Sequence, residues 1–307
     1  MEKGRALCLL GPTGAGKTEA ALALADAFNG AVVNFDSRQV YREIPVTTAQ
    51  PSPEERARCP HLLYGFLQCS ETISAGTYAE MAAKTVTEVM NQGMTPILVG
   101  GTGLYLRALL DGMAPIPDVP AEIREKVFAD WDELGPIAMH ERLAETDPVY
   151  AAKIHPNDRQ RVTRALEVIE ATGKTFSQWH AATAKVLDVP CLRLGIAMEK
   201  AELHGRLARR IEAMLEAGAI EEVRQALKAC PEPDAPGLSG IGCAELAAHL
   251  RGALSLEDAK TLWLANTKAY AKRQMTWFRK DRDVHWVGPK QTARMVELAG
   301  EWLRGGD

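Results

Sequence analysis

The sequence predicts an α/β protein: a parallel sheet core carrying a helical insertion. Two short apolar runs flank one helix near the N-terminus, a helix-then-strand pattern returns further on, and ~70 charged, strandless residues precede the last apolar run. Ala6 to Leu10 ends at Gly11-Pro12, and Ala31 to Phe35 ends at Asp36; both read as buried strands. Between them Thr18 to Phe28 (TEAALALADAF) is rich in helix formers and is stopped by Asn29-Gly30, completing a β-α-β unit. Tyr78 to Gln92 reads as an amphipathic helix stopped at Gly93, and Pro96 to Val99 as a strand ending in Gly100-Gly101. Strands separated by helices imply parallel pairing.

Three prolines between Pro115 and Pro120 suit an extended connector and a domain boundary. Ala121 to Val189 is charged and helical in pattern, and Cys191 to Ala197 restores a core-like strand. The expected division is 1–116 as the first part of the core, 117–189 as the insertion and 190–307 as the second part. Helices are expected at about Lys200 to Ala217, Ile220 to Ala229 and Ser255 to Asp281, with a turn-rich stretch from Cys230 to Gly242.

The composition is that of a soluble globular chain of 307 residues, 46% hydrophobic and 25% charged. Six cysteines form no C-x-x-C pair, and the first residues lack a signal-peptide pattern, so free thiols in a reducing cytoplasm are expected. No run approaches the ~20 apolar residues of a membrane span, so no membrane partner is expected. With 36 Lys+Arg against 40 Asp+Glu the net charge is −4, which argues against coating nucleic acid through bulk charge but permits a local basic surface. The seven histidines show no metal-ligand spacing, and zinc is not expected.

Gly11 to Thr18 reads GPTGAGKT, matching G-x-x-x-x-G-K-[ST] between a predicted strand and a predicted helix. The amides of Gly11, Thr13, Gly14, Ala15 and Gly16, beside the N–H-less Pro12, would wrap an anion, with Lys17 adding a point charge and the Thr18 hydroxyl a ligand for Mg²⁺. Nucleoside triphosphates are the usual occupants, but an alkyl diphosphate offers the same geometry. Asp36 opens DSRQVY at a strand end, where open parallel sheets border their ligand crevice. Its carboxylate could take a proton, hold Mg²⁺ through water, or cap the following turn. Gly100 to Tyr105 (GGTGLY) brings Thr102 to the same crevice, or is simply a strand-to-helix turn.

On the last long helix Trp263, Tyr270 and Trp277 recur every seventh residue and read as a core line. Lys268, Lys272, Arg279 and Arg282 cluster opposite, within about 80°, flanked by Arg273 and Lys280. From Lys268 to Arg282 six cations face one anion, Asp281, which suggests a track for a phosphate backbone. In the insertion Arg161 and Arg164 sit among mixed charges and, on their own, read as surface residues.

GPTGAGKT, DSRQVY, TAQP, VGGTGLYLRALL, HPNDRQRVTRALEV and KRQMTWFRK occur in an order that resembles the tRNA dimethylallyltransferases, from Leu9 to about Trp286. The resemblance implies a P-loop kinase-like core with a helical insertion. It implies transfer of a dimethylallyl group from dimethylallyl diphosphate to the N6 amine of the adenine at tRNA position 37. The partners implied are the tRNA anticodon stem-loop, the diphosphate donor and Mg²⁺; nothing calls for an obligate protein partner. By the same resemblance Gly11 to Thr18 is the diphosphate loop and Asp36 accepts the N6 proton. Ser37, Arg38 and Gln39 contact the target adenine and its neighbours, Thr102 lies beside the reacting centre, and Arg224 holds the leaving diphosphate. Arg124, Gln160, Arg161, Val162, Thr163 and Arg164 contact tRNA. The chain departs from the family pattern at Gln50, where T-A-K-P has lysine, and at Cys243-Ala244, where I-G-Y-[KR] has an aromatic and a cation.

Three rival readings follow from the same residues. A small-molecule kinase would use the loop for ATP. A prenyltransferase acting on free adenine nucleotides would need neither insertion nor basic track. A non-catalytic P-loop switch binding RNA would use Asp36 only for Mg²⁺.

Overall fold

The structure, a computed structural model, describes residues 4–232 and 234–305, so Met1–Lys3, Gly306, Asp307 and Pro233 of the turn-rich stretch lie outside the described residues. Packing divides the chain into two compact units: Leu110–Val186, and the residues up to Leu109 together with those from Leu187 onward. The insertion thus opens at Leu110 rather than 117 and closes at Val186 rather than 189. The reason is the proline connector, which bridges back through Met113 to Ala184 and so belongs to the insertion.

Before the insertion the chain forms β1 (Ala6–Leu10), α1 (Lys17–Phe28), β2 (Gly30–Asn34), α2 (Pro53–Arg58), β3 (His61–Leu62), α3 (Ala75–Asn91), β4 (Thr95–Gly100) and α4 (Gly103–Asp111), whose last two residues open the insertion. The insertion contains α5 (Ala121–Thr146), α6 (Pro148–Ala151), α7 (Arg159–Thr172) and α8 (Phe176–Ala181). Gly135, with φ of 80°, breaks α5 just before Pro136. Trp131, Met139, Leu143, Val162 and Leu166 make the insertion's own apolar core. The chain then returns through β5 (Cys191–Ile196), α9 (Lys200–Glu216), α10 (Ala219–Ala229), α11 (Cys243–Leu250), α12 (Leu256–Phe278), β6 (Val284–Val287) and α13 (Thr292–Leu303).

Among the described residues six strands form one all-parallel sheet in the order β3-β2-β4-β1-β5-β6. Every residue of β1 is fully buried, as a strand covered on both faces must be. One covering layer is α1 with α13, whose Met295 and Ala299 share a core with Leu24, Leu9 and Leu194. The edge strands β3 and β6 escape the sequence reading because neither is a plain apolar run: one has two residues, and the other, VHWV, carries a histidine. No helix among the described residues is long and apolar enough to cross a membrane.

Two features of α12 differ from expectation. The Ser255 hydroxyl caps it by accepting the Asp258 amide at 3.1 Å, but the helix stops at Phe278; Asp281 lies beyond it and accepts from Arg193 at 2.6 Å. The aromatic line is not uniformly core: Trp263 is buried, Tyr270 faces a cleft, and Trp277 is 37% exposed.

Candidate active site

Three adjacent strands end level with one another. Leu10 is in register with Gly100, and Asn34 with Val99, so the loops after β1, β2 and β4 leave the sheet side by side. The pairing continues past the strands, since the Phe35 amide donates to the Val99 carbonyl at 2.8 Å and the Thr102 amide to the Phe35 carbonyl at 3.4 Å. Gly100 has to be glycine, because a Cβ there would lie 2.5 Å from the Phe35 backbone. The link from β4 to β5 crosses β1, placing the loop after β1 at the point where the connections diverge.

That loop is GPTGAGKT. Gly14 and Gly16 have φ of 80° and 96°, left-handed values that favour glycine, and Gly16 starts α1 without a side-chain cap. The uncapped amides at this helix end are free to meet an anion. The Lys17 ammonium curls back to donate to the carbonyls of Gly11 and Pro12, each at 3.0 Å. Burial lowers its pKa to about 8; the nearby Asp36 opposes that shift and Arg210 adds to it.

Asp36 is held from both sides. Its amide donates to the Asn34 side-chain carbonyl at 2.8 Å, and its Oδ1 accepts the Arg38 amide at 2.9 Å. The capping role is therefore real, but it uses one carboxylate oxygen. Oδ2 points towards Gly101, 3.2 Å from where a Cβ would stand. Thr102 Oγ1 accepts the Ser37 amide at 2.9 Å and donates to Ser37 Oγ at 3.1 Å. The Tyr270 hydroxyl is pushed above its usual range by burial, then by the negative charge of Asp36.

Ser37, Arg38 and Asp36 line a cleft of about 340 Å³ together with Thr13. Arg38 Nη2 donates to the carbonyls of Pro236 and Gly237 at 3.0 and 2.5 Å, while its Nε is buried without a hydrogen-bond partner among the described residues. Gln39 is engaged elsewhere, donating to the carbonyls of Thr48 and Ala49 at 3.2 and 2.6 Å. The cleft is lined by apolar side chains, Leu207, Ile211, Met214, Ile241 and Trp263, and by the cations Arg38, Arg210 and Arg273.

Two residues here were not singled out from the sequence. Gln274, buried on α12, accepts the Thr13 amide and donates to the Gly101 carbonyl, both at 2.9 Å. It lies inside the quoted KRQ motif, so the signal was present. Arg210 on α9 lines the cleft and is coupled electrostatically to Asp36 and Lys17, while burial lowers its pKa. Arg224, by contrast, is exposed on α10, is paired with Glu221 one turn away and does not line the cleft. The two differ because Arg210 follows the inward stripe Leu203, Leu207 and Ile211, whereas Arg224 lies on the outer face of its own helix.

In the insertion, Arg124 and Gln160 are exposed, Arg161 pairs with Asp158 and Arg164 with Glu167. Val162 and Thr163 are buried, and the Thr163 hydroxyl donates to the Arg159 carbonyl at 2.8 Å, so neither side chain can meet an RNA partner. They hold the helix that carries the arginines. On α12, Lys272 and its capping residue Arg279 are exposed, while Lys268 is half-buried beside His204, whose pKa falls through burial and then through that cation.

The IPP transferase family model matches residues 39–281. A tRNA dimethylallyltransferase of Nitratidesulfovibrio vulgaris (strain Miyazaki F) is 54% identical over 98% of this chain and 94% of its own. One of Maridesulfovibrio salexigens is 50% identical over 99% of each. Among solved structures, a tRNA isopentenylpyrophosphate transferase of Bacillus halodurans is similar with a TM-score of 0.73 at 33% identity, covering 98% of this chain and 97% of that one. A eukaryotic dimethylallyltransferase captured acting on tRNA reaches a TM-score of 0.85 at 26% identity, over 99% of this chain and 80% of the other. The family match starts beyond Gly11–Thr18 and Asp36, but the full-length relatives span both, and the chain belongs to the IPP transferase family.

Proposed function

We propose that the protein transfers the dimethylallyl group of dimethylallyl diphosphate to the N6 amine of the adenine at tRNA position 37, releasing diphosphate. The observation that carries this is one cleft in which Thr13 of the glycine-rich loop and the Asp36 carboxylate share space with apolar side chains. Such apolar side chains suit a five-carbon isoprenoid. The relatives' names supply the acceptor class, tRNA.

In this reading the diphosphate lies along Gly11–Thr18, with Lys17 and Arg210 opposite its charge. Arg210 replaces Arg224 in that role. The Thr18 hydroxyl, on the first turn of α1, is the hard oxygen that Mg²⁺ would share with phosphate oxygens and water. Bound there, Mg²⁺ would neutralise charge on the leaving group.

The adenine amine is a poor nucleophile because its lone pair is delocalised into the ring. As N6 attacks the allylic carbon, the C–O bond breaks, diphosphate leaves with the electron pair, and Asp36 Oδ2 takes the amine proton. Thr102 and Ser37 hold each other beside Asp36 and so fix the approach of the base. Extruding the adenine costs about a few kcal/mol, which contacts from Arg124, Gln160, Arg161, Arg164, Lys268, Lys272 and Arg279 to the tRNA would offset. Such a reaction belongs in the cytoplasm.

Incubation with radiolabelled dimethylallyl diphosphate and either tRNA or AMP tests the assignment. Label should enter tRNA alone. Label in AMP would instead identify a prenyltransferase of free nucleotides, and ATP hydrolysis without prenyl transfer would refute the proposal.

A further inference from the structure

Trp277 breaks the pattern of the other tryptophans. Among the described residues it is the most exposed tryptophan, at 37%, so part of its ring is open to solvent. Its position is nevertheless rigid. The ring lies against Gly103, where a Cβ would stand 2.3 Å from indole Cδ2 and Cε3, so the contact requires glycine. Phe278 braces it edge-on, with centroids 5.6 Å apart and planes at 87°.

The neighbours on each side are informative. Gly103 directly follows Thr102, whose hydroxyl holds Ser37 next to Asp36. One turn back on α12, Arg273 lines the cleft and stands over the Tyr270 ring at 5.7 Å. Lys272, Arg279 and Lys280 are exposed within five residues of Trp277. A fixed indole amid cations, with no acidic residue between Lys268 and Lys280, matches what a single-stranded nucleic acid needs: a flat face for a base and charges for its phosphates.

We propose that Trp277 is the stacking platform for an unpaired base adjoining the extruded adenine. This rests on the reading above that an RNA loop delivers its adenine to the cleft. Stacking there would compensate for the neighbour contact that the flanking base loses when the adenine swings out, and would hold the strand at the cleft mouth. It would act on every sequence alike, because each base has a π-face.

The test uses the full chain and an anticodon stem-loop with 2-aminopurine placed in turn on each side of the target adenine. Wild-type protein should quench the probe at one of the two positions. Trp277→Ala should abolish that quench and weaken stem-loop binding about tenfold or more, with an unchanged salt slope and unchanged affinity for the donor diphosphate. Trp277→Phe, which keeps a ring to stack on but is a far poorer quencher than indole, should retain most of the affinity, and it guards against misfolding of the alanine variant. Unchanged quench and affinity in Trp277→Ala would overturn the inference, as would a reduced salt slope. Should wild-type protein bind and modify the stem-loop while Trp277→Ala behaves identically, only this inference fails; should wild-type protein not bind it, the proposed function fails too.

Discussion

Gln274 and Thr13 lie 261 positions apart, yet the Gln274 side-chain carbonyl accepts the Thr13 amide at 2.9 Å, and its amide group donates to Gly101 at 2.9 Å. One buried side chain therefore ties the phosphate loop to the loop after β4. The bond also takes the Thr13 amide away from any ligand, and the Ala15 amide donates to the Pro12 carbonyl at 3.3 Å, which leaves the amides at the start of α1 to meet phosphate.

Gln274→Ala should strip both bonds and leave a buried donor and acceptor unmatched, each worth about 1–3 kcal/mol. We expect a lower melting temperature together with a 10–100-fold fall in kcat/KM and a raised KM for the donor. Steady-state kinetics with tRNA saturating would check this; a variant that loses stability but keeps its kinetic constants would reduce Gln274 to a scaffold role.

Asp36→Asn is a sharper probe of the base than Asp36→Ala. The Asn oxygen can still accept the Arg38 amide and keep the turn, so only the proton-accepting function is lost. Transfer should fall about 10²–10⁴-fold while tRNA affinity stays within about threefold. Near-normal transfer by the Asn variant would show that Asp36 acts by geometry alone.

The pattern of β1, α1, β2, α3, β4 and the insertion is legible in the sequence because each is a long periodic or apolar run. So are Lys17 and Thr102, which sit in glycine-marked loops after strands, and Asp36, which directly follows an apolar run. What stays hidden depends on long-range packing. Gln274 reads as one polar residue on a basic helix until the fold sets it against Thr13. Whether Arg210 or Arg224 faces the cleft turns on how α9 and α10 are rotated, which local periodicity resolves poorly when both helices carry charges on several faces. Val162 and Thr163 illustrate the opposite error: proximity to arginines along the chain does not place a side chain on their surface.

Lys17 makes donor binding pH-dependent. Its pKa in the free protein is lowered from 10.5 to about 8, so the ammonium is charged below pH 8 and progressively neutral above it. Diphosphate favours the charged form and raises the pKa again on binding. Affinity should therefore be flat in Lys17 charge below pH 8 and fall by up to about tenfold per pH unit above it. Calorimetric titration of the donor between about pH 6.5 and 9.5 measures this, and Lys17→Met should bind weakly without the alkaline decline. A flat profile in wild-type protein would contradict the assignment of Lys17 to the phosphate.

Charge reversal at Lys272 and Arg279 should weaken tRNA binding and flatten its salt dependence, since fewer counterions are released. Both are exposed and neither touches the cleft, so donor affinity should not change. A slope of log affinity against log salt that stays at the wild-type value would move the phosphate track off α12.

Arg210 and Arg224 offer a direct contest between placement in the fold and position in a motif. Arg210 lines the cleft near Asp36 and Lys17, and burial lowers its pKa, so its guanidinium is poorly hydrated and well placed to meet an anion. Arg224 is exposed and already paired with Glu221, an arrangement worth about 0–1 kcal/mol at a protein surface. Arg210→Ala should thus raise the KM for dimethylallyl diphosphate and lower kcat, together costing about 10²-fold or more in kcat/KM. Arg224→Ala should remain within about twofold of wild type on both. The reverse outcome would mean that α10 turns its outer face towards the phosphate during turnover, a rearrangement that the Glu221 pairing and the buried Val223 and Ala226 on the opposite face oppose.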